Sequence, residues 1–220
     1  MKSLLNRLKG MHLKTRLKHP IDEFWDRRFG VHTVGFLSAV GEHGQADWRG
    51  AYVPTRYRRI LHDLRHVGVG PNDVVVDLGS GLGRAVFAAA WLGAKRSVGV
   101  EIDGPLTAQA QDSLRSSRLK HRDISFVCAS AEDYSLADTT VLFMFNPFGE
   151  GTMKTVIGKL ETELAKRPRD LRIIYENPLQ AAVLDASPYL ERFDNWKPHQ
   201  NGSHHPVSFW RSVDPATAKR

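Results

Sequence analysis

A chain of 220 residues with 41% hydrophobic content is long and apolar enough to bury the core of one ordinary domain, which argues against global disorder. Its single cysteine, Cys128, excludes a disulfide framework or a multi-cysteine zinc site within one chain and points to a reducing, cytoplasmic location. A net charge of +7 favours acidic partners without choosing among nucleic acid, anionic lipid and an acidic metabolite, and no apolar run approaches the roughly 18 residues that a membrane span needs.

Three segments follow in order. Residues 1–20 are basic, with Lys2, Arg7, Lys9, Lys14, Arg16 and Lys18 and no acid. Leu4, Leu5, Leu8, Met11 and Leu17 recur at helical spacing, so residues 2–18 read either as an ordinary helix laid on the main domain with a solvated basic face or as a basic amphipathic arm suited to an anionic surface, membrane or nucleic acid. Residues 21–70 form an N-terminal cap: an irregular stretch rich in aromatic side chains, then a helix N-capped by Thr55 and running to about Val67. Residues 71–220 alternate short apolar runs with helical stretches. Expected strands are Val74–Val76, Ser97–Ile102, Ile124–Cys128, Thr140–Phe145 and Leu171–Tyr175. Expected helices are Leu82–Leu92, Leu106–Leu119 and Met153–Ala165. Near-continuous apolar strands separated by helices predict a parallel sheet covered on both faces. The tail, Tyr189–Trp196 and Pro206–Val213, predicts an antiparallel hairpin on its edge. Cys128, in an apolar run, reads as a buried strand residue.

The strongest local signal is Val74-Val75-Val76-Asp77-Leu78-Gly79-Ser80-Gly81-Leu82-Gly83-Arg84. A buried strand ends in an acid and enters a glycine turn that opens a helix, where ligands of open α/β sheets bind. A dinucleotide loop requires a small residue where Arg84 stands, so that reading fails. Asp77 can instead accept a hydrogen bond from an ammonium group, which suits the amino-acid end of S-adenosylmethionine. Glu101, 24 residues later at the tip of the next strand, can take both hydroxyls of a ribose.

On these residues the sequence resembles the class I S-adenosylmethionine-dependent methyltransferases over roughly residues 50–213. It is similar to little-characterised bacterial members with a later Asn-Pro-Phe, and its glycine loop resembles that of the non-SET histone lysine methyltransferases. The resemblance implies a Rossmann-like, seven-stranded, mostly parallel sheet with a C-terminal antiparallel hairpin, and S-adenosyl-L-methionine as cofactor. It implies that Asp77, Gly79, Ser80, Gly81 and Gly83 line the methionine part, with Glu101 and Ile102 at the ribose side. The family's acid after the third strand is replaced by Ser130, so Ser130, the Ala131 backbone and Glu132 are the candidates for holding adenine. Tyr52 and Tyr57 read either as closing over the cofactor from the cap or as packing residues of the fold.

The fourth strand enters Asn146-Pro147-Phe148-Gly149, which resembles the (Asp/Asn)-Pro-Pro-(Tyr/Phe) motif of amino-group methyltransferases with one proline missing. Either Asn146 accepts hydrogen bonds from an acceptor NH2 and aims its lone pair at the methyl group, with Pro147 next to it in the turn and Phe148 packed on a planar acceptor, or Asn-Pro simply terminates the strand and Phe148 packs in the core. The expected activity is N-methylation of an acceptor that the sequence does not name. The competing reading is a catalytically silent module acting through its basic arm on membrane or nucleic acid. Tyr175-Glu176-Asn177-Pro178 closes the fifth strand, and Glu176 reads either as a base or cation binder or as a capped or salt-bridged residue. His199, His204 and His205 cluster without an acid or cysteine at ligand spacing, so no metal is expected.

Overall fold

The computed structural model describes residues 20–33, 55–200 and 204–216. The basic arm and Tyr52 lie outside the described residues. Seven strands, β1 (Val74–Leu78), β2 (Arg96–Glu101), β3 (Ile124–Cys128), β4 (Val141–Phe145), β5 (Arg172–Glu176), β6 (Leu190–Trp196) and β7 (Val207–Ser212), form one sheet in the order β3-β2-β1-β4-β5-β7-β6. The pairs among β1–β5 are parallel. β7 runs antiparallel to both β5 and β6, so the tail hairpin sits on the sheet edge as its sequence predicts.

Among the described residues six helices flank the sheet: α1 (Pro20–Phe29), α2 (Tyr57–His66), α3 (Arg84–Trp91), α4 (Gly104–Ser116), α5 (Glu150–Lys166) and α6 (Ala181–Asp185). Alternation along the strands divides the core between the two faces. Val75, Phe143, Ile174 and Phe209 pack with Phe29, Tyr57, Leu64 and Phe87, from α1, α2 and α3. Their neighbours Val76, Leu142, Ile173 and Trp210 pack with Met153, Ile157 and Leu160 of α5 and Leu184 of α6. The order of strands reverses between β1 and β4, which leave the sheet centre in opposite directions. Their carboxyl ends therefore flank the crevice in which this architecture holds ligands.

The cap departs from its expected form. Its first part is helical, and the first turn of α2 is not capped by Thr55: Arg56 occupies the N-cap and its side chain makes no capping bond. Asp22 of α1 supplies the cap instead, its Oδ1 accepting from Tyr57 N at 2.9 Å. Cys128 is exposed, not buried, because β3 is an edge strand whose burial fades at its carboxyl end. Among the described residues no helix is long and apolar enough to cross a membrane.

Candidate active site

The glycine loop leaves β1 with three glycines in the left-handed region, at φ of 78° (Gly79), 51° (Gly81) and 84° (Gly83). Two of these positions are also closed to a side chain by their neighbours. A Cβ on Gly79 would lie 2.7 Å from Pro147 Cβ, and one on Gly83 would lie 2.4 Å from the Phe126 ring. The first contact joins the two motifs, because the Asn-Pro-Phe turn after β4 rests directly on the glycine turn after β1. Gly83 is the N-cap of α3 and lends that helix no side-chain cap, so its first amides are left toward the loop. The Ser80 side chain is buried and turned toward Gly99, away from the crevice, and its Oγ has no hydrogen-bond partner among the described residues.

Glu101, at the tip of β2, is half-buried and bound at both oxygens. Oε2 accepts from Gly81 N at 2.8 Å and Oε1 from Asp103 N at 3.0 Å. The carboxylate is thus fixed across the loop with further lone pairs available, since each oxygen can accept about twice. Asp77 differs. It is 5% exposed and, among the described residues, neither a donor nor a cation meets it. Burial, and then the charge of Glu101, pushes its carboxyl up from 3.8 to about 8. A buried acid without a counter-charge is complementary to an incoming ammonium group, and the pair Asp77–Glu101 therefore fits a ligand carrying an ammonium and a vicinal diol.

On the β2–β3 side Ile102 is 73% exposed. Ser130 closes a tight turn, its Oγ accepting from Glu132 N at 3.2 Å and its carbonyl from Asp133 N at 3.0 Å. The Glu132 carbonyl is taken by Lys159. On the β4 side Asn146 adopts a left-handed φ of 36° and its N–H donates to Glu176 O at 3.1 Å. Phe148 is half-buried against the α5-side core, so its ring has a packing partner of its own.

Tyr57 does not reach the crevice. It is fully buried among Phe29, Trp25 and Thr33, which favours the packing reading of this residue over closure on a ligand. It belongs to a network that the sequence did not reveal. Arg84, the first residue of α3, is 5% exposed and gives Nε to Thr33 Oγ1 at 2.9 Å, and Nη1 to Asp22 Oδ2 at 3.3 Å and Thr55 O at 2.8 Å. Its guanidinium lies 5.1 Å from the Tyr57 ring centre. Asp26 in turn binds Thr33 N at 2.8 Å. The residue that excludes a dinucleotide loop therefore clamps the cap onto the helix that follows the glycine turn.

A second buried group lies at the end of β5. Glu176 is 1% exposed and faces Asp63 of α2, which is fully buried and ion-paired with Arg59 at 3.1 Å. It caps no helix, and its partner is an acid. Among the described residues no group of three or more His, Cys, Asp or Glu side chains is arranged to hold a metal. His205 packs its ring 5.5 Å from Phe145, and His199 packs on His204 at 5.2 Å, beside the same end of the sheet.

The family model of histone methylation protein DOT1 matches residues 51–180, more than half of the chain. The chain belongs to the DOT1 family. The DOT1 match spans the α2 helix, the glycine loop, Glu101, the Asn-Pro-Phe turn and Glu176, and S-adenosylmethionine is the cofactor of this methyltransferase family. Asp77 and Glu101 fit its ammonium and ribose. The chain is 34% identical over 74 residues to the Caenorhabditis elegans histone-lysine N-methyltransferase specific for H3 lysine-79, a stretch covering 33% of this chain and 8% of that protein. It is 36% identical over 62 residues to an uncharacterised Methanocaldococcus jannaschii protein, covering 28% and 27%. The chain thus spans under a third of the length of either curated relative. Among solved structures, an RNA methyltransferase from Salinibacter ruber in complex with S-adenosyl-L-homocysteine superposes with a TM-score of 0.54 at 23% identity, over 72% of this chain and 93% of that one. The tRNA methyltransferase TrmK of B. subtilis superposes with a TM-score of 0.56 at 14% identity, over 76% and 69%. At these identities the superpositions show the Rossmann-like methyltransferase fold that this DOT1-family chain shares.

Proposed function

We propose that the protein is an S-adenosylmethionine-dependent N-methyltransferase in which Asn146 orients the acceptor nitrogen. The observation that carries this reading is the contact of Pro147 with Gly79, which brings the turn bearing Asn146 onto the loop beside Asp77. Asp77 would hold the methionine ammonium, Glu101 the ribose hydroxyls and the exposed Ile102 side chain a face of adenine, with the Ser130–Ala131 turn at the adenine edge. When bound, the cofactor supplies an electrophilic methyl group on a sulfonium.

The protein's own part is positioning, and in-line methyl transfer asks for little else. Asn146 is held by its amide bond to Glu176 O, and its left-handed backbone turns the side chain out of the strand direction. Its carboxamide oxygen would accept from an acceptor N–H and leave the nitrogen lone pair facing the methyl. Calorimetry with S-adenosylhomocysteine, paired with transfer of labelled methyl from S-adenosylmethionine to a panel of amines, tests the reading. Asn146→Ala is expected to bind S-adenosylhomocysteine within threefold of the parent and to lose on the order of a hundredfold in turnover, the scale of a lost orienting contact. Undiminished turnover in Asn146→Ala would sink the assignment.

A further inference from the structure

Three charged side chains, Arg59, Asp63 and Glu176, meet in the core where α2 crosses the ends of β5 and β7, each under 5% exposed. Arg59 also donates Nη1 to Gln200 O at 3.0 Å and lies 5.1 Å from the Trp196 ring centre. Glu176 and Asp63 are both acids buried against each other, and two carboxyl groups so placed cannot both ionise, so one proton is held between them. That proton satisfies one oxygen of Glu176, and no donor among the described residues meets the other. Arg59 Nη2 is likewise buried without an acceptor. Asp63 Oδ1 makes no hydrogen bond among the described residues either, and unpaired buried polar atoms are costly, so a cluster leaving three of them is matched to something that arrives later.

The charges facing Glu176 are Asp63 and Arg59 on α2 and Asp77 on β1. Burial, and then Asp63, holds the Glu176 carboxyl well above the ordinary range, while burial lifts Asp63 to about 7 against the pull of Arg59. With one shared proton the Arg59–Asp63–Glu176 group is neutral overall. A cation can join it without leaving an uncompensated buried charge only if one proton departs. Glu176 also adjoins Asn146 through the backbone bond between the ends of β4 and β5.

We propose that the Glu176–Asp63 pair is the seat of the acceptor nitrogen, where an alkylammonium group replaces the shared proton. This rests on the N-methyltransferase reading above. The ammonium N–H groups donate to the Glu176 and Asp63 carboxylates, and one proton passes to solvent for each amine bound. A second proton then moves from nitrogen to Glu176: the N–H bond breaks, its electron pair stays on nitrogen as the lone pair, and an O–H bond forms on the carboxylate.

Titration of n-butylamine into the protein saturated with S-adenosylhomocysteine tests this, by calorimetry at pH 7.5 in two buffers of different ionisation enthalpy. Release of about one proton per amine is expected from the parent. Binding weaker by tenfold or more is expected in Glu176→Gln and in Asp63→Asn, with S-adenosylhomocysteine affinity unchanged in either variant. N-acetyl-lysine methylamide, run in parallel, distinguishes a protein-borne amine from a free one, and tighter binding of either supports the seat. Butanol binding as well as butylamine, the same amine affinity in both variants as in the parent, or amine binding without proton release would overturn it. Absence of S-adenosylhomocysteine binding by the parent would instead strike the N-methyltransferase reading itself.

Discussion

Replacing Asp77 by asparagine separates the cost of this carboxylate from its use. Its raised value means that the folded chain holds the proton more tightly than the unfolded one. The group therefore favours folding at low pH, and that contribution is lost as pH rises from about 4 to about 8. About four units at 1.36 kcal/mol each set an upper bound near 6 kcal/mol, and solvent relaxation reduces this to a working figure of about 1–3 kcal/mol. The apo Asp77→Asn variant is then expected to melt about 3–10 °C higher than the parent at pH 9 and at the same temperature at pH 4. Ligand binding has the opposite dependence. An ammonium group needs the ionised carboxylate, so parent affinity for S-adenosylhomocysteine should rise nearly tenfold per unit from pH 6, about fiftyfold in all by pH 8, and flatten above. Asp77→Asn should lose that slope together with most of the affinity. Calorimetry at pH 6, 7, 8 and 9 with thermal unfolding of the apo protein measures both. Parent affinity that is flat between pH 6 and 8, or an asparagine variant no more stable at pH 9, would refute the argument.

Other perturbations have equally definite outcomes. Gly79→Ala sets a Cβ against Pro147 at a positive φ, and should cost about 1–3 kcal/mol in thermal unfolding while weakening S-adenosylhomocysteine binding, since it parts the two turns. Arg84→Met removes one buried cation from Asp22 together with the donor to Thr33, a loss of about 3–5 kcal/mol. Adding Asp22→Asn should recover part of it, and strict additivity in that cycle would count against a coupled pair. Cys128, exposed at the end of β3, should react with a thiol reagent in the native protein at a rate near that of the unfolded chain.

The sheet was legible because its apolar runs are separated by helical stretches of ordinary length, and the cofactor loop because its chemistry is local. Asp77, three glycines and Glu101 stand near the ends of two adjacent strands, and the glycines are demanded by their positive φ. Strand ends were less legible. Reading the apolar runs stops at Val76 and Tyr175 because an acid follows shortly or at once, whereas the hydrogen-bonded ladder runs on through Asp77 to Leu78 and through Glu176. Backbone pairing is indifferent to a carboxylate on the side chain, and the buried acids therefore mark the active end of the sheet. Exposure of Cys128 depended on strand order, which an apolar run does not encode.

What escaped the sequence is what long-range packing assembles. Arg84 was legible as a residue that spoils a dinucleotide loop, but its partners are Thr33 and Asp22, 51 and 62 positions away, and only the fold brings them to one guanidinium. Glu176 could be singled out at its strand end, yet its character comes from Asp63 and Arg59 on a helix more than a hundred residues earlier. Three buried carboxyl groups at one end of one sheet, Asp77, Asp63 and Glu176, are each pushed toward their neutral form, and hydrophobic residues of similar volume would suit the core better. That cost persists where a charged ligand offsets it. On the proposed reading Asp77 would meet it beside the glycine loop and Glu176 beside Asn146, on either side of β4, whose terminal turn touches Gly79 and Glu176.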